Sequence, residues 1–243
     1  MNGPQTSPAA SPTGLLVIDK PLGKTSMQVC AAVRARLRAA GAPKRIKVGH
    51  AGTLDPLATG VLVVLVGKAT KQQDRYMAGR KGYVAGVDLA HVSRTDDAEG
   101  PVEAVECAPV TREQIERALP GFTGTIEQRP PAYSAMKLGG RRAYALARQA
   151  ETADEMPTLE PRPVVIESLE VLAFDWPVVT LAIGCGKGTY IRSLARDLGV
   201  ELGVGGMLRS LRRTRVGGFT LDDAVTLDDL PDRITQGDLR PLE

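Results

Sequence analysis

Apolar positions in this chain fall into short runs separated by glycine and proline, with helical spacing between some of them. Gly14 to Ile18 reads as a strand; Pro21 and Gly23 then turn the chain. Thr25 or Ser26 can cap a helix that reaches Ala40 and is closed by Gly41, with Val29, Val33 and Leu37 as its buried stripe. A loop rich in glycine, Val48 to Gly60, leads into the apolar strand Val61 to Val66 and a short helix from about Ala69 to Met77. Strands are expected at Lys81–Leu89, Gly124–Gln128, Val164–Leu172 and Val178–Gly184, and Leu211 falls in a further alternating stretch. Thr111 with Gln114 is a capping-box pattern that opens a helix ending near Pro120, and two more helices are expected near Arg142–Ala150 and Tyr190–Leu198. The interleaving is irregular and no repeat recurs at a fixed period. The expectation is one compact α+β domain, a mixed and largely antiparallel sheet flanked by helices and loops.

Charge sharpens this picture by its distribution. The net charge is only +3. Between Asp19 and Asp55, however, stand Lys20, Lys24, Arg34, Arg36, Arg38, Lys44, Arg45 and Lys47 without one acid. Arg129, Lys137, Arg141, Arg142 and Arg148 form a second acid-free stretch, and Arg209, Arg212, Arg213 and Arg215 a third. Each alone fits a solvated helix face or strand edge. Together they fit a surface for a polyanion, and Arg212 and Arg213 are assigned to an RNA face on this ground. The end of the chain is acidic, so residues 221–243 are expected to form a short acidic C-terminal segment.

Cys30, Cys107 and Cys185 are far apart, and His50 and His91 are the only histidines, so neither a disulfide framework nor a metal centre is expected. The longest apolar run, Val61 to Val66, is too short to span a bilayer, and residues 1–13 read as a disordered leader rather than a secretory signal. A cytoplasmic location follows as the expectation. Pro21-Leu22-Gly23-Lys24-Thr25 ends like a phosphate-binding loop but has Ile18 where its first glycine belongs. The segment Gly184 to Thr189 likewise lacks the third glycine of a dinucleotide loop.

The loop Gly49-His50-Ala51-Gly52-Thr53-Leu54-Asp55-Pro56-Leu57-Ala58-Thr59-Gly60 holds a single carboxylate between glycines, with a proline directly after it. Such a loop can bring backbone close to a ligand while holding the acid stiffly. By residue type alone Asp55 also fits an Asx-turn or the cap of a helix opening at Pro56.

The loop closely resembles the catalytic loop of the TruB family of tRNA pseudouridine-55 synthases. The resemblance continues through Gly14 to Pro21 with Gly23, Thr25 and Ser26, through Pro131-Ala132-Tyr133-Ser134-Ala135-Met136-Lys137, through Gly186 to Leu194, and through Leu211 to Gly217. These motifs keep the family's order from about Gly14 to Gly218.

The resemblance implies a cofactor-independent isomerase acting on the T-loop uridine at position 55 of tRNA. In that family the base is flipped out, detached from its sugar, turned and rejoined through carbon. Asp55 is similar to the essential aspartate, Arg192 to the arginine that pairs with it, and Tyr83 to the tyrosine that stacks on the uracil. Leu211 resembles an apolar residue of the uracil pocket, and His50 the histidine that fills the space left by the extruded nucleotide. Lys20 and Pro21 match a motif that supports the active-site loop. Tyr190 and Lys137 lie in the matched motifs and are taken with these as substrate-binding.

The family pattern puts the catalytic domain at residues 14–220. It also implies tRNA, through its T-stem-loop, as partner, with no membrane, no protein partner and a monomeric enzyme. Two departures stand out: residues 221–243 are too few for a complete RNA-binding domain of the PUA type, and Met207 stands where a histidine is common. A second reading, an RNA-binding protein without catalysis, keeps the same partner and differs in whether product forms.

Overall fold

The computed structural model describes residues 11–150, 152 and 155–242. Most of the expected leader lies outside them. Residues 11–13, which the leader was expected to include, are anchored, since Thr13 and the Gln236 side chain exchange two hydrogen bonds of 2.9 and 3.0 Å.

In chain order the elements are β1 (Gly14–Lys20), α1 (Ser26–Ala39), β2 (Val48–His50), β3 (Ala58–Val66), α2 (Gln73–Ala78), β4 (Lys81–Asp88), β5 (His91–Ser93) and β6 (Val102–Ala104). They continue with α3 (Arg112–Ala118), β7 (Gly124–Gln128), β8 (Lys137–Leu138), β9 (Arg141–Arg142), α4 (Ala143–Ala147), β10 (Arg162–Asp175) and β11 (Val178–Cys185). The last are α5 (Ile191–Leu202), β12 (Met207–Val216) and β13 (Phe219–Thr220). The fold is α+β with a mixed, mostly antiparallel sheet, as expected. The chain gathers into two compact units where the sequence led us to expect one: residues 1–79 with 215–243, and residues 80–214.

In the first unit, β1 pairs antiparallel with β3 from Gly14↔Val66 to Lys20↔Gly60, and β2 pairs with the far half of β3. Valine and leucine fill β3 because it is buried along almost its whole length, as a central strand requires. α1 opens with the capping box of Thr25 and Gln28 and ends before Gly41, whose φ of +93° only glycine adopts without strain. Val29, Val33 and Leu37 are fully buried.

The C-terminal segment is part of this unit. Leu15 and Arg240 exchange two backbone hydrogen bonds of 2.9 Å, and Val225 bonds to Val17 and Asp19. Leu227, Leu230, Ile234 and Leu239 are buried, so the acidic composition lies over an apolar underside.

In the second unit the sheet runs β12-β4-β11-β10-β7. β11 shows the plainest strand signature: Val179, Leu181, Ile183 and Cys185 are buried and alternate with half-buried residues. α5 packs closely by its backbone, since a β-carbon added to Gly206 would lie 2.5 Å from the carbonyl oxygen of Ala195.

Two local expectations are corrected. Val48 to His50 is a strand and β3 begins at Ala58, because ladder bonds to β3 satisfy that backbone and shorten the loop. The helix expected from Ala69 begins as a 3₁₀ segment over Gly67–Gln72 and is α-helical only from Gln73.

Candidate active site

In the first unit the segment between β2 and β3 carries Asp55, half-buried and open to solvent. Its backbone is held from both sides. Ser26 donates its hydroxyl to the Leu54 carbonyl at 3.0 Å and accepts the Leu54 N–H at 2.8 Å. Asp55 itself closes a turn, accepting the Ala58 N–H through its carbonyl at 3.0 Å.

On the other side the fully buried ammonium of Lys20 donates to the carbonyls of Lys24 at 2.6 Å, Pro21 at 3.0 Å and Pro56 at 3.4 Å. The Gly23 N–H also reaches the Pro56 carbonyl, at 2.9 Å. A buried cation is tolerable only with such acceptors around it. Lys20 and Pro21 therefore belong to the support of the loop that carries Asp55. His50 ends β2 and is half-buried, in a strand rather than the loop expected for it.

The second unit holds Arg192, the second residue of α5 and only 7% exposed, so it is not an ordinary surface arginine. Its guanidinium donates to the carbonyls of Thr95 at 3.1 Å and Tyr133 at 3.0 Å and forms an ion pair with Asp97 at 3.5 Å. Asp97 is fixed in turn by the Thr95 hydroxyl at 2.6 Å and the Glu99 N–H at 3.0 Å.

The start of α5 has no side-chain cap of its own. Instead the buried Gln128 amide clamps Tyr190, accepting its N–H at 2.8 Å and donating to its carbonyl at 3.1 Å. Ser193 adds a bond to the Arg129 carbonyl at 2.8 Å. The resemblance pairs Arg192 with Asp55; within its own unit, Asp97 and two carbonyls set the direction of the guanidinium.

Tyr83 lies in β4, buried, opposite Ile183 of β11. Two residues earlier on the same face is Lys81, also buried, opposite Cys185. Burial, and after it the neighbouring charge of Arg213, pulls the Lys81 pKa below the usual lysine value. Burial pushes the Cys185 thiol up to about 11, so it stays protonated near neutrality.

Leu211 is half-buried on β12 and Tyr190 is half-buried beneath the Arg162 guanidinium, 5.2 Å from its ring centre. Lys137 is exposed on the β8–β9 hairpin, opposite Arg142. Arg213 is a correction. It is 1% exposed, so its side chain is internal rather than on the surface expected for it, while its neighbour Arg212 is half-buried.

The first basic stretch is also less available than its sequence implies. Lys20 is internal, Arg34 donates to the Val48 carbonyl and Arg36 to that of Leu227. Asp97, Thr95 and Gln128 were not found from the sequence, and Ser26 was read there as a possible helix cap and a motif residue, not as the clamp on Leu54. Each contacts a residue 28 or more positions away or acts through a backbone carbonyl, and no local pattern marks that.

Comparison with known proteins bears on the same residues. A family model for the N-terminal domain of TruB family pseudouridylate synthases matches residues 38–191. A second, for the C-terminal domain of tRNA pseudouridylate synthase B, matches residues 192–242 and so takes in the acidic segment. A protein named tRNA pseudouridine synthase B from Parabacteroides distasonis is 44% identical over 223 residues, 91% of this chain and 93% of its own. One of the same name from Mycobacterium tuberculosis strain H37Rv is 47% identical over 230 residues, 93% of this chain and 74% of its own.

Among solved structures, a chain of a Cbf5-Nop10-Gar1 complex matches with a TM-score of 0.68 and 33% identity, covering 89% of this chain. This chain spans about half of that one, 53%. With family models matching residues 38–242 and a relative 44% identical over 91% of the chain, the chain belongs to the TruB family of pseudouridylate synthases.

Proposed function

We propose that this chain converts the uridine at position 55 in the T-loop of tRNA to pseudouridine. The observation that carries the reading is the backbone-clamped loop that presents half-buried Asp55 to solvent within the family's sequence motif. The uridine leaves its stack, its N1–C1′ bond breaks, the uracil turns, and C5 bonds to C1′ while its proton is replaced by one on N1. Atoms are conserved, so substrate and product have equal mass. Asp55 starts the sequence as an ionised carboxylate, Arg192 supports that charge, and Tyr83 lies against the uracil. His50 fills the vacated space, and Leu211 lines the base pocket. Tyr190, Lys137 and Arg212 contact RNA, and Lys20 and Pro21 act through the loop.

No cofactor takes part in these steps. The enzyme acts as a monomer in the cytoplasm, with residues 14–220 forming the catalytic segment. The named tRNA activity of the relatives from Parabacteroides distasonis and Mycobacterium tuberculosis supports tRNA as substrate.

Incubation of the purified chain with unmodified T-stem-loop RNA, followed by carbodiimide mapping, tests the proposal. Product is expected from the native chain without added metal or nucleotide, and none from Asp55→Asn. Binding of RNA without product by the native chain would overturn it in favour of an RNA-binding module.

A further inference from the structure

Beside the Arg192 network, within the second unit, lies a cleft of about 380 Å³ whose side chains are given no role in the reaction above. That volume is in the range of about 300–1,000 Å³ found for sites that take small ligands. Three arginines from separate segments meet there: Arg94 after β5, Arg129 after β7 and Arg196 on α5. Arg196 is held by Asp96 at 2.9 Å, by Asp197 at 2.8 Å and by the Arg129 carbonyl at 2.9 Å. Arg94 donates to neutral partners, the Ala150 carbonyl at 3.3 Å and the Met156 sulfur at 3.4 Å. Arg94 and Arg129 are both exposed, and Pro157 and Leu159 give the cleft an apolar wall.

We infer that this cleft is a second RNA subsite, which takes one nucleotide of the substrate next to the flipped uridine and binds its phosphodiester through Arg94 and Arg129. The inference rests on the proposed RNA substrate and adds residues to it. Guanidinium forks match a phosphate's oxygens, and such contacts fix register without reading sequence. The apolar wall suits the ribose or the base face.

What favours a polymer over a free anion is the cleft's position. Arg196 stands four residues after Arg192, one helical turn or about 6 Å along the same face of α5. The adjacent acids Asp96 and Asp97 each pair with one of the two arginines, Asp97 with Arg192 and Asp96 with Arg196. A ligand that meets Arg192 and continues into the cleft advances by about the length of one nucleotide.

Binding of two RNAs, the T-arm hairpin and whole unmodified tRNA, across a salt series tests this. The chain is compared with its Arg94→Ala/Arg129→Ala variant, both positions being exposed, and with Arg117→Ala on α3 as a charge control outside the cleft. The double variant is expected to weaken binding roughly tenfold and to lower the slope of log affinity against log salt by about 0.7–0.9, the value for one lost phosphate contact.

Loss with both RNAs is the expected result; loss with whole tRNA alone overturns the subsite, because the phosphate would then lie outside the T-arm that holds the flipped uridine. An unchanged slope with both, or the same drop in Arg117→Ala, overturns the subsite. So does poly-glutamate binding that the double variant abolishes while RNA binding stays intact, which would give the cleft to an acidic protein. Formation of pseudouridine by the native chain on the same RNAs is read separately, so failure of the subsite and failure of the proposed activity are distinct results.

Discussion

The segment that carries Asp55 and the helix that carries Arg192 solve the same problem by different means. Asp55 is held through its main chain: a serine hydroxyl and a buried lysine occupy the carbonyls and N–H groups on either side, and the carboxylate keeps access to solvent. Arg192 is held through its side chain, by a carboxylate and two carbonyls from distant segments, and is itself nearly buried. The backbone that carries this carboxylate is thus fixed on both sides by other residues. A guanidinium has five donors and can give several to the fold while others remain for an anion.

The largest test of this contrast is Asp97→Asn. Removing one partner of a buried ion pair costs about 3–5 kcal/mol, and here the asparagine keeps some of the local bonds, so a loss of about 3 kcal/mol is expected in denaturant unfolding. Pseudouridine formation should fall with it, because the direction of Arg192 is no longer set. A variant of native stability and activity would remove Asp97 from the support of Arg192.

On the loop side, Lys20→Met removes the ammonium from the carbonyls of Pro21, Lys24 and Pro56, of which Pro56 keeps the Gly23 N–H, and is expected to cost about 2–4 kcal/mol. Ser26→Ala removes the two bonds to Leu54 and should cost about 1–3 kcal/mol. Both should lower turnover while RNA binding is retained, since neither side chain reaches the RNA. Thermal unfolding with parallel turnover and binding measurements would show whether the main-chain clamp matters.

The adjacent acid gives a smaller effect of opposite sign. Burial raises the Asp96 pKa above its ordinary 3.8, in spite of Arg196. Its folded form thus holds the proton more tightly than the unfolded chain. Its contribution to stability is fully present below the unfolded value and declines as pH rises through the folded one. Asp96→Asn should remove that decline from the pH profile of the melting temperature, and a profile identical to wild type would contradict it.

The smallest effect concerns thiols. Burial pushes Cys30 and Cys185 up to about 11, whereas Cys107 is half-exposed, so iodoacetamide at neutral pH should modify Cys107 first with little change in stability.

Much of the fold could be read locally. The cap at Thr25, the stripe Val29–Val33–Leu37, the strand Gly124–Gln128 and the alternation of β11 depend on residues a few positions apart, and there the expectations and the structure agree. The motif around Asp55 was also legible, because its glycines and proline are constraints on one short stretch of backbone.

Other features depended on partners brought from far along the chain. Adjacent Arg212 and Arg213 look alike as charges, yet β12 turns one of them inward. Lys20 reads as part of a basic surface until three carbonyls close around it, and the acidic end reads as a solvated tail until its leucines and Ile234 are buried. Asp97 carries no mark in the sequence that ties it to Arg192, 95 positions later. Sequence by itself determined the local elements and the chemistry-bearing loop, since these follow from short-range backbone preference and residue type. Tertiary structure alone decided which charges are internal and what holds them, because burial and pairing are properties of contacts between distant segments.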